Sequence, residues 1–257
     1  MEIRGKVAVI TGGGSGIGRA TSERFAHEGA AIVVVDIDEA GGAETVKRIE
    51  AAGGRAAFAR ADVTREAEMR RAFDTALAKF GRFDILHNNA GIGVGQPGFP
   101  EAEAARWHLV IEIDLQAVIL GTGLAAPLMQ RAGGGVIINT ASMAGLYPHR
   151  NDAVYGAAKA GVVNFTHSLG HWASERKIRV NCVCPGIVDT PMVQRGLEAA
   201  AKLGLPSVKP AKIIQPEEIA DAIVTLVRDD SLFGCSLEVR PTGRKIVDPR
   251  PAPGLRR

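Results

Sequence analysis

The chain has three cysteines among 257 residues, Cys182, Cys184 and Cys235. So sparse and odd a set gives no disulfide framework, and Cys182–Cys184 lacks the second ligand pair that a zinc site needs. Reduced, buried thiols in a cytoplasmic protein are the expectation, with no metal. Aromatic residues make up 5% of the chain, Tyr147 and Tyr155 are the only tyrosines, and the formal net charge is +3 with no run of five basic residues. A basic groove interleaved with stacking aromatics is therefore missing, which argues against nucleic acid as a partner. No uninterrupted apolar run reaches the ~18 residues of a membrane span, so none is expected. The opening MEIRGKVAVITGGG has only a short apolar run, broken by glycine, and reads as a first strand and not a leader peptide.

What the chain does have is alternation. Short, mostly β-branched apolar runs at 6–11, 30–36, 55–60, 84–88, 135–139, 178–182 and 236–239 read as strands. Their continuity, in place of strict alternation, suits strands covered on both faces. Helical periodicity fills 17–27, 39–52, 65–80, 101–129 and 152–175, with Pro127 expected to bend or end the fourth. Strand–helix alternation predicts an α/β fold, a doubly wound parallel sheet with helices on both faces. With no repeat and no dividing linker, residues 1–257 are expected to form one domain. The least regular stretch, 191–215, carries a short helix at 193–203, then Pro206, Lys209, Pro210 and Lys212. Its position after the sixth strand suits a substrate lid. Residues 244–257, ending in DPRPAPGLRR, are expected to be a loose tail or a subunit-contact arm.

The first strand runs straight into Thr11-Gly12-Gly13-Gly14-Ser15-Gly16-Ile17-Gly18, and a helix follows. Glycines there allow a tight turn and close backbone approach, while the helix offers free N–H groups to a diphosphate. Gly12, Gly16 and Gly18 give a G-x-x-x-G-x-G spacing. The strict G-x-G-x-x-G at Gly93–Gly98 is a decoy, because Pro97 and Pro100 stand where a helix should open. Eighteen residues beyond Gly18, Asp36 ends the second strand. A carboxylate there accepts from an adenosine ribose and repels a 2′-phosphate. Neither Ile37 nor Ser15 supplies a cation to offset it, so NAD is expected over NADP.

Three more segments accompany this loop: Asn88-Asn89-Ala90-Gly91 after strand four, Tyr155-x-x-x-Lys159 in a long helix, and Ser142 thirteen residues before Tyr155. With Pro185-Gly186-Ile187-Val188-Asp189-Thr190 behind them, the set closely resembles the short-chain dehydrogenase/reductase family, from about Lys6 to Val239. The resemblance implies a Rossmann sheet of seven parallel strands in the order 3-2-1-4-5-6-7, in a dimer or tetramer. It assigns Gly12, Ser15, Gly16, Ile17, Gly18, Asp36 and Ile37 to the NAD loop and adenosine side. Asp62 and Val63 go to the adenine, Asn89, Ala90 and Gly91 to the adenosine ribose side. Pro185, Gly186, Val188, Thr190 and Met192 go to the nicotinamide side. It makes Tyr155 the acid/base, Lys159 its modulator and a nicotinamide-ribose ligand, and Ser142 the donor to the substrate oxygen.

Elementary chemistry is consistent with those roles. A free tyrosine titrates near ~10, and an ammonium one helical turn away favours phenolate. Phenolate can remove an alcohol proton as hydride leaves carbon, and a serine hydroxyl can bind the oxygen where charge develops. The chain departs from the family at Asp114, where the resemblance implies an Asn that helps hold a water beside the lysine. An ionised Asp accepts but cannot donate, and it can pair with Lys159. The expectation is a working relay with an altered pH profile. Met143, His149 and Gly186 are candidates to border the substrate with Ser142 and Tyr155, whereas His167 and His171 lack a metal-binding motif. The expected function is NAD-dependent hydride transfer between nicotinamide and a secondary alcohol or ketone. The alternatives are an NADP-dependent ketoreductase and a catalytically idle NAD-binding protein used for regulation or assembly.

Overall fold

A computed structural model describes residues 1–150, 152–204 and 212–248. Its strands are β1 Val7–Thr11, β2 Ala31–Asp36, β3 Arg55–Arg60, β4 Ile85–Asn88, β5 Gly135–Thr140, β6 Ile178–Pro185, β7 Ser236–Arg240 and β8 Gly243–Val247. They form one sheet in the order β3-β2-β1-β4-β5-β6-β7-β8, parallel except for the antiparallel β7–β8 pair. β1 shows why the strands read as unbroken apolar runs. Ala8 and Ile10 enter a core closed by helices α1 (Gly16–His27), α2 (Glu39–Ala51) and α10 (Pro216–Arg228). Val7 and Val9 enter the opposite core, closed by α3 (Glu66–Phe80) and α5 (Ala117–Arg131). Both faces are dry, so the pleat leaves no polar alternation to read.

The strand order reverses at β1, between β2 and β4, and the carboxyl ends of these strands open a crevice. Three helical expectations change in detail. The stretch read as one helix over 101–129 is α4 (Ala104–Ile111), a π-helical turn (Glu112–Gln116) and α5. Pro127 lies inside α5, which runs on to Arg131. Pro127 and Gly123, whose carbonyl loses a donor, both lie on the exposed face, where water can meet that carbonyl. The helix read over 152–175 divides into α7 (Ala153–Ser168) and α8 (Trp172–Glu175), joined where Gly170 packs closely on Gly234.

Taken together, residues Ala104–Arg131 are long and apolar enough to span a membrane by length and composition, although Arg106, Glu112 and Asp114 interrupt the apolar run. Val110, Val118, Ala125 and Met129 along it are nonetheless buried against neighbouring elements, as in a core helix. The expected loose tail is corrected at its start, because residues 243–247 form β8. There Ile246 faces Leu237 as a cross-strand apolar pair and Lys245 stands opposite Glu238, whose carboxylate is engaged by Arg240. Of the expected lid, α9 (Pro191–Lys202) is described, together with the Val188–Ile214 bridge behind it. Pro206, Lys209 and Pro210 lie outside the described residues, as do 249–257 of the tail.

Candidate active site

The glycine loop closes on itself. Gly12 has φ +63°, and a Cβ there would stand 2.9 Å from Ala90 Cα; a Cβ on Gly18 would stand 2.1 Å from the Gly12 carbonyl oxygen. No other residue fits either position. Gly18 therefore serves the loop's packing and is buried, off the cleft wall. Asn89 Nδ2 donates to the Thr11 and Gly12 carbonyls at 3.0 and 3.2 Å, tying the β4 loop to the β1 loop. Ser15, the N-cap of α1, makes no side-chain capping bond among the described residues. The first-turn N–H groups are thus left facing the crevice, which fits a diphosphate.

Asp36 sits half-buried at the far end. Its Oδ2 accepts from Gly14 N at 2.8 Å and its Oδ1 from Asp38 N at 2.9 Å, which fixes the carboxylate at the rim. Arg19, which reaches this turn from α1, is already engaged. It donates from Nε to Thr45 Oγ1 and from Nη2 to the Gly14 and Gly41 carbonyls.

At the other end, α7 carries Tyr155 and Lys159 one turn apart. Asp152 caps α7, accepting from Tyr155 N at 3.0 Å, while its second oxygen accepts from Val94 N at 2.9 Å. Lys159 is fully buried. Its Nζ donates to the Thr140 carbonyl at 2.9 Å, lies 3.0 Å from Asp114 Oδ2, and is 5.6 Å from the Tyr155 ring centroid. Asp114, on the π-helical turn, has no exposure, and its Oδ1 accepts from Ile92 N at 2.8 Å. The ammonium approaches Oδ2 as a close ion pair but out of line for a directed hydrogen bond, so Oδ2 has charge compensation without an aligned donor. The position where the resemblance implies Asn is thus filled by an Asp that grips the lysine.

The electrostatics follow. Burial pushes the Tyr155 phenol above its usual range, Lys159 and the Ser142 hydroxyl pull it back, and Asp114 and Asp152 push it further up. Burial raises the Asp114 carboxyl, with Lys159 and the Ile92 N–H opposing. Burial alone would lower Lys159, but Asp114 and Tyr155 overcome it and hold the ammonium above its ordinary value. Ser142 N-caps the short helix α6 (Met143–Leu146), accepting from Ala144 N at 3.1 Å.

One cleft of about 430 Å³ joins the two ends. Gly12, Ser15, Gly16, Ile17, Asp36, Ile37, Asp62 and Val63 line it on one side. Asn89, Ala90, Gly91, Ser142, Tyr155, Lys159, Pro185, Gly186, Val188, Thr190 and Met192 complete it. Three other expected residues stand off this wall. Asp114 lies behind Lys159, and Met143 lies behind Gly186, its sulfur 3.4 Å from where a Gly186 Cβ would be. The exposed His149 stacks edge-on to Tyr155 with ring centroids 6.3 Å apart. The sequence reading missed Thr140 and Arg195, both on the wall. Arg195 could have been found one helical turn after Met192, and Thr140 as the polar end of an otherwise apolar strand. No cluster able to hold a metal occurs among the described residues.

The family profile described as short chain dehydrogenase matches residues 6–200. The chain is 42% identical over 230 residues to cis-4-hydroxycyclohexanecarboxylate dehydrogenase of Sinomonas cyclohexanicum, covering 89% of this chain and 91% of that one. It is 36% identical to cyclohexanol dehydrogenase of Acinetobacter sp. (strain SE19), covering 90% and 91%. Among solved structures, 3-ketoacyl-(acyl-carrier-protein) reductase from Brucella melitensis, complexed with NADH, superposes with a TM-score of 0.83 at 32% identity, covering 92% of this chain and 97% of the other. A profile that matches residues 6–200, relatives aligned over nine-tenths of their length and a shared fold carry one conclusion: the chain belongs to the short-chain dehydrogenase family.

Proposed function

We propose that the protein is an NAD-dependent dehydrogenase that oxidises a secondary alcohol on an aliphatic ring to the ketone, reversibly. The observation that carries this reading is the single cleft with Asp36 at one end and Tyr155, Lys159 and Ser142 at the other. The ring-alcohol substrates named for two relatives support the substrate class. When bound, the nicotinamide accepts the hydride from the alcohol carbon and returns it in reduction. The chain's own part is proton handling. Tyr155 as phenolate takes the hydroxyl proton, Lys159 stabilises the phenolate, and Ser142 donates to the substrate oxygen. The test is a panel of cyclic and open-chain secondary alcohols with NAD, with turnover confined to acyclic substrates counting against the substrate class.

NAD is favoured by Asp36 and by the engagement of Arg19 with backbone carbonyls and Thr45. Asp36→Asn keeps an acceptor for the Gly14 N–H while removing the charge. It is expected to raise NADP kcat/KM relative to NAD by roughly 10- to 100-fold, the scale of relieving a like-charge contact. An unchanged ratio would remove Asp36 from cofactor choice.

Asp114 is read as a working replacement for the family Asn. The ionisable groups acting on Tyr155 are Lys159, Asp114 and Asp152, with the Ser142 hydroxyl alongside. Asp114 raises the phenol, so its removal lowers it. Asp114→Asn is therefore expected to move the rise of oxidation kcat/KM with pH toward acid by about one unit. Superimposable profiles would take Asp114 out of the mechanism. Exposed Leu109 and Ile119 along 104–131 support a homo-oligomer, dimer or tetramer. Three buried, unpaired cysteines support a reducing, cytoplasmic setting.

A further inference from the structure

His87 is a titratable group that the mechanism above leaves unused. It lies on β4, in the middle of the sheet, with no exposure, and burial pushes its imidazole down to about 3. Its Nε2 is 2.7 Å from Thr140 Oγ1, and its Nδ1 has no partner among the described residues. Thr140 Oγ1 is in turn 3.3 Å from Asn89 Oδ1. Asn89 Nδ2 reaches the Thr11 and Gly12 carbonyls.

The direction of every bond in this chain is set from one end. The Thr11 and Gly12 carbonyls can only accept, so the Asn89 amide must turn its nitrogen toward them and its oxygen toward Thr140. A carbonyl oxygen can only accept, so the Thr140 hydroxyl spends its one proton on Asn89. Its oxygen must then accept from His87, and a neutral imidazole can supply that donor only as the Nε2–H tautomer. The unpartnered Nδ1 is then a bare acceptor, an arrangement tolerable in an imidazole held neutral.

We propose that His87 is a positioning residue for the coenzyme end of the cleft: through Thr140 it fixes the Asn89 amide, and with it the first turn of the glycine loop. This rests on reading the cleft as a dinucleotide site. Lys159 is held by the Thr140 backbone carbonyl, not by its hydroxyl, so the chain separates coenzyme binding from the proton-handling residues. A core histidine of packing value only would take the same tautomer, but its replacement would leave coenzyme affinity unmoved.

Two measurements on the full chain test this. In ¹⁵N-edited spectra of the protein without coenzyme, His87 is expected as the neutral Nε2–H tautomer across the pH range in which the protein stays folded. NADH binding followed by fluorescence should weaken about 3- to 10-fold in His87→Leu, with kcat at saturating NAD within about twofold of the parent. His87→Gln, whose amide can donate to Thr140, should recover most of that loss. Thr140→Val should show the same weakening and add nothing to His87→Leu. An Nδ1–H tautomer, or parental NADH affinity in folded His87→Leu, would overturn the proposal. If His87→Leu fails to fold, the tautomer and the Gln variant still decide it. A parent protein that binds no NADH would instead overturn the dinucleotide reading.

Discussion

Tyr155→Phe is expected to lower kcat/KM for alcohol oxidation by about 10³-fold or more while NADH affinity stays within about threefold of the parent. In the proposed mechanism the phenol, at the inner end of the cleft, exchanges the proton with the substrate oxygen while Lys159 stabilises its anion. General acid–base catalysis contributes typically ~10²–10⁴-fold, and the loss should sit at the upper part of that range because Ser142 is already committed as a donor. The ring is retained, so the edge-on contact with His149 and the packing of Val94, Ala102 and Val110 beside it survive. A drop in coenzyme binding as large as the drop in turnover would point to a collapsed cleft and not to a missing proton.

The second large effect concerns the buried pair. Lys159→Met is expected to abolish turnover and also to destabilise the protein by about 3–5 kcal/mol, because it strands the Asp114 carboxylate in the interior. With side-chain exposures of 3% and 0%, neither partner can recruit solvent in place of the other. Adding Asp114→Leu to Lys159→Met should return much of the stability, since an apolar pair replaces the ion pair without an orphaned charge. It should return no activity. Chemical denaturation and steady-state turnover on the single and double variants separate the two roles. Equal stability of Lys159→Met and the parent would mean that Asp114 takes up a proton at little cost and that the pair is not ionised.

Much of this site is legible in the sequence. Gly12 and Gly18 are dictated by contacts that a Cβ would violate, so the sequence carries them openly. Asp36 and the Tyr155–Lys159 pair stand at strand-end and helix-turn spacings that local geometry alone turns toward the crevice. The dry core strands likewise announce themselves as continuous apolar runs. The parts that were not legible depend on partners distant in sequence. The π-helical turn at Glu112–Gln116 interrupts an unbroken apolar periodicity, and nothing local marks it; Asp114 on it is anchored by Ile92 and Lys159 from other elements. β8 is short and charged, and it is held by pairing with β7, where Ile246 faces Leu237 across the hairpin. His87 looks like one more strand residue until Thr140, 53 positions away, is placed beside it.

The scarcity of tyrosine offers a direct reading of the central ionisation. In a Tyr147→Phe background, Tyr155 is the only phenol, and its ultraviolet difference spectrum reports its proton alone. Without dinucleotide the phenolate band should emerge above the ordinary tyrosine range of about pH 10. With saturating NAD it should emerge at clearly lower pH, as a cationic ring joins Lys159 beside the oxygen. A titration that NAD leaves unmoved would contradict the account, because the phenol would then not share the cleft with the coenzyme that it serves.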